Sequence, residues 1–133
     1  MPTEREATIL FHNTMRVTEG HWEGFRLAAR RAVDFTERHT PQIMVDFFTD
    51  EANMLAHSFQ LYADSASIRA HWRMSGAVIN DVMDHCSVER LDVYGEPDAQ
   101  VTRALEAFRV DVPVTVHPRL AGFTRFGGPS PDR

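Results

Sequence analysis

What the 133-residue chain lacks excludes several classes of protein. Its single cysteine, Cys86, cannot form an intrachain disulfide. It has no basic run, and a net charge of −5 with neutral histidines disfavours binding to nucleic acid. No apolar stretch approaches the length of a membrane span, and the first residues are too polar for a secretory signal. We therefore expect a cytoplasmic protein with neither a nucleic-acid nor a membrane partner.

Composition and length are typical of one globular domain. Hydrophobic residues make up 43% of the chain and charged residues 25%, and the chain is long enough to bury a core. No internal repeat is visible. We expect a single folded domain over residues 1–126 and a disordered tail over residues 127–133, which contain two glycines and two prolines.

The spacing of apolar residues predicts eight helices and strands. In chain order, strands are expected at 9–17, 42–49, 54–62, 88–94 and 114–125, and helices at about 21–38, 65–84 and 98–108. Gly76 lies inside the second predicted helix, where it marks a bend or a close approach. The order β-α-β-β-α-β, followed by a helix and a strand, is the ferredoxin-like α+β pattern.

The second and third predicted strands carry apolar residues on both faces. A sheet with helices on one side would then leave an apolar face uncovered. Two copies packed face to face would cover it, so we expect a homodimer, with the His12 and Arg16 face of the first strand toward the partner. The last strand is interrupted by Pro118 and Gly122, and we expect it to lie on the neighbouring subunit.

Two polar residues stand out because their neighbours are apolar. Asn13 interrupts the apolar face of the first strand, either as a donor to a ligand oxygen or as a side chain satisfied by water or backbone. His71 borders the apolar face of the second helix beside Trp72. Its alternatives are a general base, a hydrogen-bond partner for an acidic hydroxyl, and a structural histidine bonded to a carbonyl.

Other candidates are aromatic. His57 shares a strand face with Phe59 and is either a ligand contact or a satisfied core or interface histidine. Tyr62 ends that strand, where it would form a pocket wall or donate its hydroxyl. Trp22 begins the first helix and is expected to cover the end of the sheet, and Trp72 belongs to the core or the pocket wall.

Neither a metal site nor a catalytic nucleophile is predicted. No histidine or glutamate pair has the spacing of ligands on one helix face, and His71 and His85 are fourteen residues apart. Cys86 lacks a glycine-rich context and is expected to be a buried structural thiol.

Several segments together resemble one known family. Residues 59–72 combine an aromatic residue at a strand end, an acidic turn, and a helix with a histidine soon after its start. Residues 17–25 place a glycine-containing turn between a strand and a helix, and residues 93–97 and 120–125 add two shorter matches. This combination is similar to the antibiotic-biosynthesis-monooxygenase family, in particular its quinol-monooxygenase-like branch, over roughly residues 9–94.

The resemblance implies a dimeric α+β barrel with one pocket per subunit between sheet and helices. It implies a cofactor-independent monooxygenase that acts on a small aromatic, quinol or anthrone-like molecule and O₂, with no metal. The candidate catalytic residues are then His71 and Asn13, and the candidate substrate-binding residues are Tyr62, Trp72, His57, Phe59 and Trp22.

Two alternatives stay open. Haem-degrading members share the fold, and Asn13 falls at the same distance before the turn glycine, Gly20, as in those members. Their tryptophan would fall at His71 and their histidine ligand at Asp81, which disfavours haem because a carboxylate cannot replace the axial imidazole. The second alternative is a dimeric module that binds a small ligand without catalysis.

Overall fold

Nine helices and strands form in residues 7–125, the part of the chain that the computed structural model describes. They are β1 (Ile9–Val17), α1 (Trp22–His39), β2 (Met44–Asp50), β3 (Leu55–Tyr62), α2 (Ser65–Met74), α3 (Gly76–Met83), β4 (Cys86–Tyr94), α4 (Ala99–Phe108) and β5 (Val114–His117). A short 3₁₀ turn, Glu51–Asn53, joins β2 to β3. The predicted tail, residues 127–133, lies outside the described residues.

The strands form one sheet in the order β2-β3-β1-β4-β5. The first four strands pair antiparallel, and β5 lies parallel to β4. This is the ferredoxin-like arrangement with a C-terminal helix and strand added, so the predicted α+β fold class is confirmed. In the central strand β1, Asn13 lies opposite Ser58 of β3 and Leu91 of β4.

The prediction of one helix over 65–84 was wrong, because Ser75 separates α2 from α3. Ser75 leaves helical geometry, with φ −104° and ψ 9°, and its hydroxyl lies 2.9 Å from Nδ1 of His71. Serine and glycine in succession favour such a break, since a serine side chain competes for hydrogen bonds and glycine favours a helix weakly. The bend expected at Gly76 is therefore present as a full break.

The last strand is shorter than predicted. Only Val114–His117 pairs with β4, and residues 118–125 form no strand. Pro118 has no amide proton to donate to the sheet, which ends the pairing there. At the other end of the fold, β4 begins at Cys86, two residues before the predicted start.

One face of the sheet packs against the helices through two apolar clusters. Toward α2 and α4, the first cluster contains Ile9, Phe11, Tyr62, Ile68, Leu91 and Leu105 among others. Toward α1 and α3, the second contains Met15, Val17, Phe25, Ala29, Ala56 and Val82 among others. Asn13 falls between the two clusters, because Phe11 belongs to one and Met15 to the other.

The opposite face of the sheet, which we call the outer face, carries the alternate side chains of β1, β2 and β3. His12 stacks on Phe59 with ring centroids 4.2 Å apart, and its Nε2 lies 2.9 Å from Nδ1 of His57. Phe48 packs edge-on against Phe59 and remains 55% exposed. An aromatic patch is thus accessible on the single chain. Among residues 7–125, no helix is long and apolar enough to cross a membrane.

A histidine pair ties two turns together at one end of the sheet. His21 precedes α1 and His85 precedes β4, and their Nδ1 atoms lie 3.0 Å apart. The His85 ring packs against Gly24 in α1, where a Cβ atom would lie 2.4 Å from the ring Cε1. Glycine is needed at this position because the imidazole occupies the space of a side chain.

We expect Gly24→Ala to lower the free energy of unfolding by about 1–2 kcal/mol, because the methyl group would displace His85 from His21. Gly76→Ala is the matched control, since a Cβ there meets no atom within 4 Å. At the start of α3 it should raise the free energy of unfolding by about 0.5–1 kcal/mol. Urea unfolding of the wild type and the two variants measures both changes in the free energy of unfolding. Changes of the same sign would contradict the packing argument.

Candidate functional site

A cavity of about 400 Å³ lies between the sheet and the helices, in the gap between the two apolar clusters. Its floor comes from the inner face of β1 to β4, including Asn13, Ser58, Gln60 and Leu91. Its walls come from all four helices, including Thr36, His71, Trp72, Ile79, Met83 and Phe108. None of the described residues that line it carries a formal charge at neutral pH.

A row of hydrogen bonds crosses the cavity floor. The Tyr62 hydroxyl donates to Oε1 of Gln60 at 2.7 Å, and Nε2 of Gln42 donates to the same oxygen at 3.2 Å. Nε2 of Gln60 lies 3.4 Å from Oγ of Ser58, and Nδ2 of Asn13 donates to that Oγ at 3.1 Å. We call Asn13, Ser58, Gln60 and Tyr62 the polar row.

Strand register builds the polar row. Side chains alternate between the two faces of a strand, so Ser58, Gln60 and Tyr62 share the inner face of β3. Asn13 on β1 is the direct partner of Ser58 across the sheet, which brings their side chains into contact. Ser58 and Tyr62 are almost fully buried, so these hydrogen bonds satisfy polar groups that water does not reach.

His71 forms the opposite side of the cavity. It lies on α2 with only 6% of its surface exposed, and its Nδ1 atom is 2.9 Å from Oγ of Ser75. Burial lowers the pKa of His71 to about 4, so its imidazole is neutral at pH 7. Its ring lies 5.9 Å from that of Tyr62, between centroids.

Tyr62 and Trp72 supply aromatic walls. Burial raises the pKa of the Tyr62 hydroxyl, so this group is a hydrogen-bond donor and not a base at neutral pH. Both rings pack on Phe11, with centroid distances of 5.3 Å for Tyr62 and 6.4 Å for Trp72. Such rings present flat apolar surface to a ligand while their polar ends stay available for hydrogen bonds.

Four of the predicted site residues meet in this cavity: Asn13, Tyr62, His71 and Trp72. The structure places the other three elsewhere. His57 and Phe59 flank Ser58 in sequence and so point to the outer face, where both contact His12. Trp22 packs edge-on against Phe25 in the second apolar cluster and does not line the cavity.

Sequence reasoning missed Ser58, Gln60 and Ser75. The signal for the first two was present, because residues 56, 58, 60 and 62 must share one face of β3 once Tyr62 is placed inward. For Ser75 the signal was its spacing four residues after His71, because side chains at that spacing meet on one face of a helix.

The side chains that can ligate a metal or haem iron lie apart from one another. Asp81 is on the surface, where its carboxylate is 3.5 Å from Nη1 of Arg31. His85 bonds to His21 and does not line the cavity. Among the residues described here, no three His, Cys, Asp or Glu side chains are arranged to bind a metal ion. Cys86 is buried, and burial raises the pKa of its thiol to about 11.

Several solved structures share this fold at low sequence identity. MupZ from Pseudomonas fluorescens superposes with a TM-score of 0.72 at 14% identity, covering 94% of this chain and 100% of MupZ. SnoaB from Streptomyces nogalater, a cofactor-independent oxygenase, gives 0.59 at 12% identity, covering 70% of this chain and 96% of SnoaB. A protein provisionally named an antibiotic biosynthesis monooxygenase, from Chloroflexus aurantiacus, gives 0.56 at 9% identity and covers 65% of this chain and 90% of its own.

These likenesses confirm the predicted resemblance at the level of the fold. No family model matches the sequence. No curated protein matches it either. At 9 to 14% identity the structural likeness concerns the fold alone. The MupZ match covers more of this chain than the ferredoxin-like core of β1 to β4 contains, so it extends beyond that core.

The buried, neutral His71 predicts a specific dependence of stability on pH. Its pKa is 6.5 in the unfolded chain and about 4 in the folded protein. Above pH 6.5 both states are neutral, and below it the unfolded state alone binds a proton until the pH approaches 4. Stability should therefore fall over this window, by up to about 3 kcal/mol.

His71→Gln removes this titration and is the comparison variant. Urea unfolding of both proteins at pH 7.0, 5.5 and 4.0 should show the wild type losing more free energy of unfolding than the variant. The other titrating groups are the same in both proteins, so their contributions cancel in the difference. Parallel losses would show that His71 is not held neutral in the folded state.

Proposed function

We propose that this chain binds a planar phenolic, quinol or anthrone-like molecule in the cavity and catalyses its oxygenation by O₂ without a cofactor. Its fold is shared with SnoaB, a cofactor-independent oxygenase, at low sequence identity. This likeness suggests the reaction class, cofactor-independent oxygenation. The proposal itself depends on the residues of the cavity.

One observation carries the proposal: among the described residues, the cavity lining is neutral, and it is apolar apart from the polar row, Thr36 and His71. A volume of about 400 Å³ is within the usual range for small-molecule sites. Flat aromatic walls from Phe11, Tyr62 and Trp72 suit a planar ligand. A ligand oxygen would be held by hydrogen bonds and not by an ion pair, because no charged side chain from residues 7–125 lines the cavity.

Such a cavity suits direct reaction with O₂. A substrate that loses a proton from an acidic CH₂ group gives an anion that transfers one electron to O₂. The two radicals then form a C–O bond, and the proton returns to give a hydroperoxide. Loss of water leaves a carbonyl, so one atom of O₂ enters the product and the other leaves as water.

The protein's part is to stabilise the anion and exclude water. Hydrogen-bond donors that face a developing oxyanion in a site of low dielectric lower the barrier more than they would in water. The apolar walls keep solvent away from the reactive carbon while O₂, an apolar molecule, enters freely. Donors of this kind are present in the polar row and in His71.

Oxygen consumption tests the proposal. With anthrone as substrate in metal-free buffer, we expect turnover by the wild type and a fall of ~10²-fold or more for His71→Phe, which keeps an aromatic ring but removes both nitrogens. His39→Phe is the control, since His39 is exposed at the end of α1 and should leave the rate unchanged. If anthrones and naphthoquinols give no consumption with any of these proteins, the chain is a ligand-binding module instead.

The proposal includes a homodimer formed through the outer face. The aromatic patch of Phe48, Phe59 and His12 is accessible on the single chain. Beyond β5, Leu120 is 99% exposed and Phe123 75%, so this segment also presents apolar groups that a neighbouring subunit would cover. Sheet-to-sheet packing of two copies would bury both features.

Phe48→Asp should shift the protein from dimer to monomer at micromolar concentration, because a carboxylate would be buried against an aromatic patch. Leu27→Asp is the matched control, since Leu27 is 49% exposed on α1, away from the outer face. Analytical ultracentrifugation gives the masses. A wild type that is monomeric at this concentration would contradict the dimer, and equal behaviour of the variants would place the interface elsewhere.

A further inference from the structure

We propose that Ser75 fixes the tautomer of His71, so that the imidazole presents an N–H donor to the cavity and holds a carbonyl oxygen of the ligand. This inference rests on the proposed function for the presence of that ligand. It assigns His71 the role of a hydrogen-bond donor and Ser75 that of a positioning residue. A general base at this position is thereby excluded.

The hydrogen bond between Ser75 and His71 has two possible directions. The Ser75 side chain is 1% exposed, and within the described residues its hydroxyl has a single partner, Nδ1 of His71. If Nδ1 carried the proton and donated, the hydroxyl proton would have no acceptor. If the Ser75 hydroxyl donates to Nδ1, its proton has an acceptor and only lone pairs on the hydroxyl oxygen are unused. Unused lone pairs cost less free energy than a buried proton without an acceptor.

Donation by the Ser75 hydroxyl determines which nitrogen of His71 can donate a hydrogen bond to the ligand. A neutral imidazole has one protonated nitrogen, so an unprotonated Nδ1 places the proton on Nε2. Nε2 of His71 has no protein partner among residues 7–125. The ring lines the cavity, so this N–H is available to a ligand atom.

The polar row provides a second donor. Tyr62 and Gln42 both donate to Oε1 of Gln60, which turns the amide nitrogen of Gln60 toward Ser58. Ser58 Oγ then receives hydrogen bonds from both Gln60 and Asn13. Its own proton has no acceptor in the described part of the chain, so it is free for a ligand.

Two donors without a base select a class of ligand. A carbonyl oxygen accepts two hydrogen bonds, whereas a phenol must give its proton to an acceptor. The described cavity lining has no carboxylate, and the lone pair on Nδ1 of His71 is occupied by the Ser75 hydroxyl. The preferred substrate is therefore an aryl ketone with an acidic CH₂ group, which gives its proton to bulk water before it enters the cavity and binds as the enolate that the two donors stabilise.

The tautomer is measured directly on the ligand-free protein. Long-range ¹H–¹⁵N NMR of His71 at pH 7 should show a protonated Nε2 and an unprotonated Nδ1. Ser75→Thr, which keeps a hydroxyl, should preserve this pattern, and Ser75→Ala should give a mixture of tautomers. A protonated Nδ1 in the wild type, or the same spectrum in Ser75→Ala, would overturn the role of Ser75.

Ligand binding distinguishes a hydrogen-bond donor at position 71 from a general base. Xanthone carries a carbonyl that its analogue xanthene lacks, and neither reacts with O₂ under these conditions. We expect wild type and His71→Gln, which retains a donor near the Nε2 position, to prefer xanthone by tenfold or more, and His71→Phe to lose that preference. Loss of the preference in His71→Gln, or no preference in the wild type, would exclude the donor role.

Turnover gives an independent comparison. With anthrone, His71→Gln should stay within about tenfold of the wild-type rate, whereas removal of a general base costs ~10²-fold or more. A loss of that size in His71→Gln would show that His71 acts as a general base. If the protein consumes no oxygen at all, the proposed oxygenase activity fails, while the NMR and xanthone measurements still decide the tautomer and the donor.

Discussion

The architecture of the site depends on one constraint, the need to satisfy polar side chains that the sheet buries between two apolar clusters. Asn13 sits where the clusters separate, and its partner Ser58 lies directly across the sheet. Gln60 and Tyr62 extend the same chain of hydrogen bonds along β3. An apolar residue at position 13 would allow the clusters to merge, and Ser58 would lose its hydrogen-bond partner across the sheet.

The described charged side chains lie away from the cavity, and this separates stability from recognition. The ion pairs of Arg31 with Asp81 and Arg69 with Asp98 lie on the helices and leave the cavity neutral. Exposed pairs of this kind contribute little to the free energy of unfolding. The folded state is held mainly by the two clusters, while a ligand in the cavity would meet uncharged polar groups and apolar side chains.

Much of the fold was predictable because the alternation of β1 and the helical spacing of α1 are strong local signals. The break at Ser75 was not predictable as a break, since the residues around it have the apolar spacing of a continuous helix. His57 and Phe59 were predicted to bind the substrate, and the structure shows that they do not line the cavity. The period of two in β3 puts them opposite Tyr62. The link between Ser75 and His71 joins two residues four apart, the spacing at which side chains meet on one face of a helix.

The division of the cavity between floor and walls has a consequence for evolvability. The polar row of the floor belongs to β1 and β3, which pair on both sides in the sheet and tolerate few changes. Much of the wall belongs to α3 and α4, where Met83 and Phe108 are 36% and 39% exposed. Laboratory selection for new substrates can therefore vary Ile79, Met83 and Phe108 in combination. Such changes would alter the shape of the cavity, and so the ligand that it accepts, while the hydrogen-bonding residues of the floor stay intact.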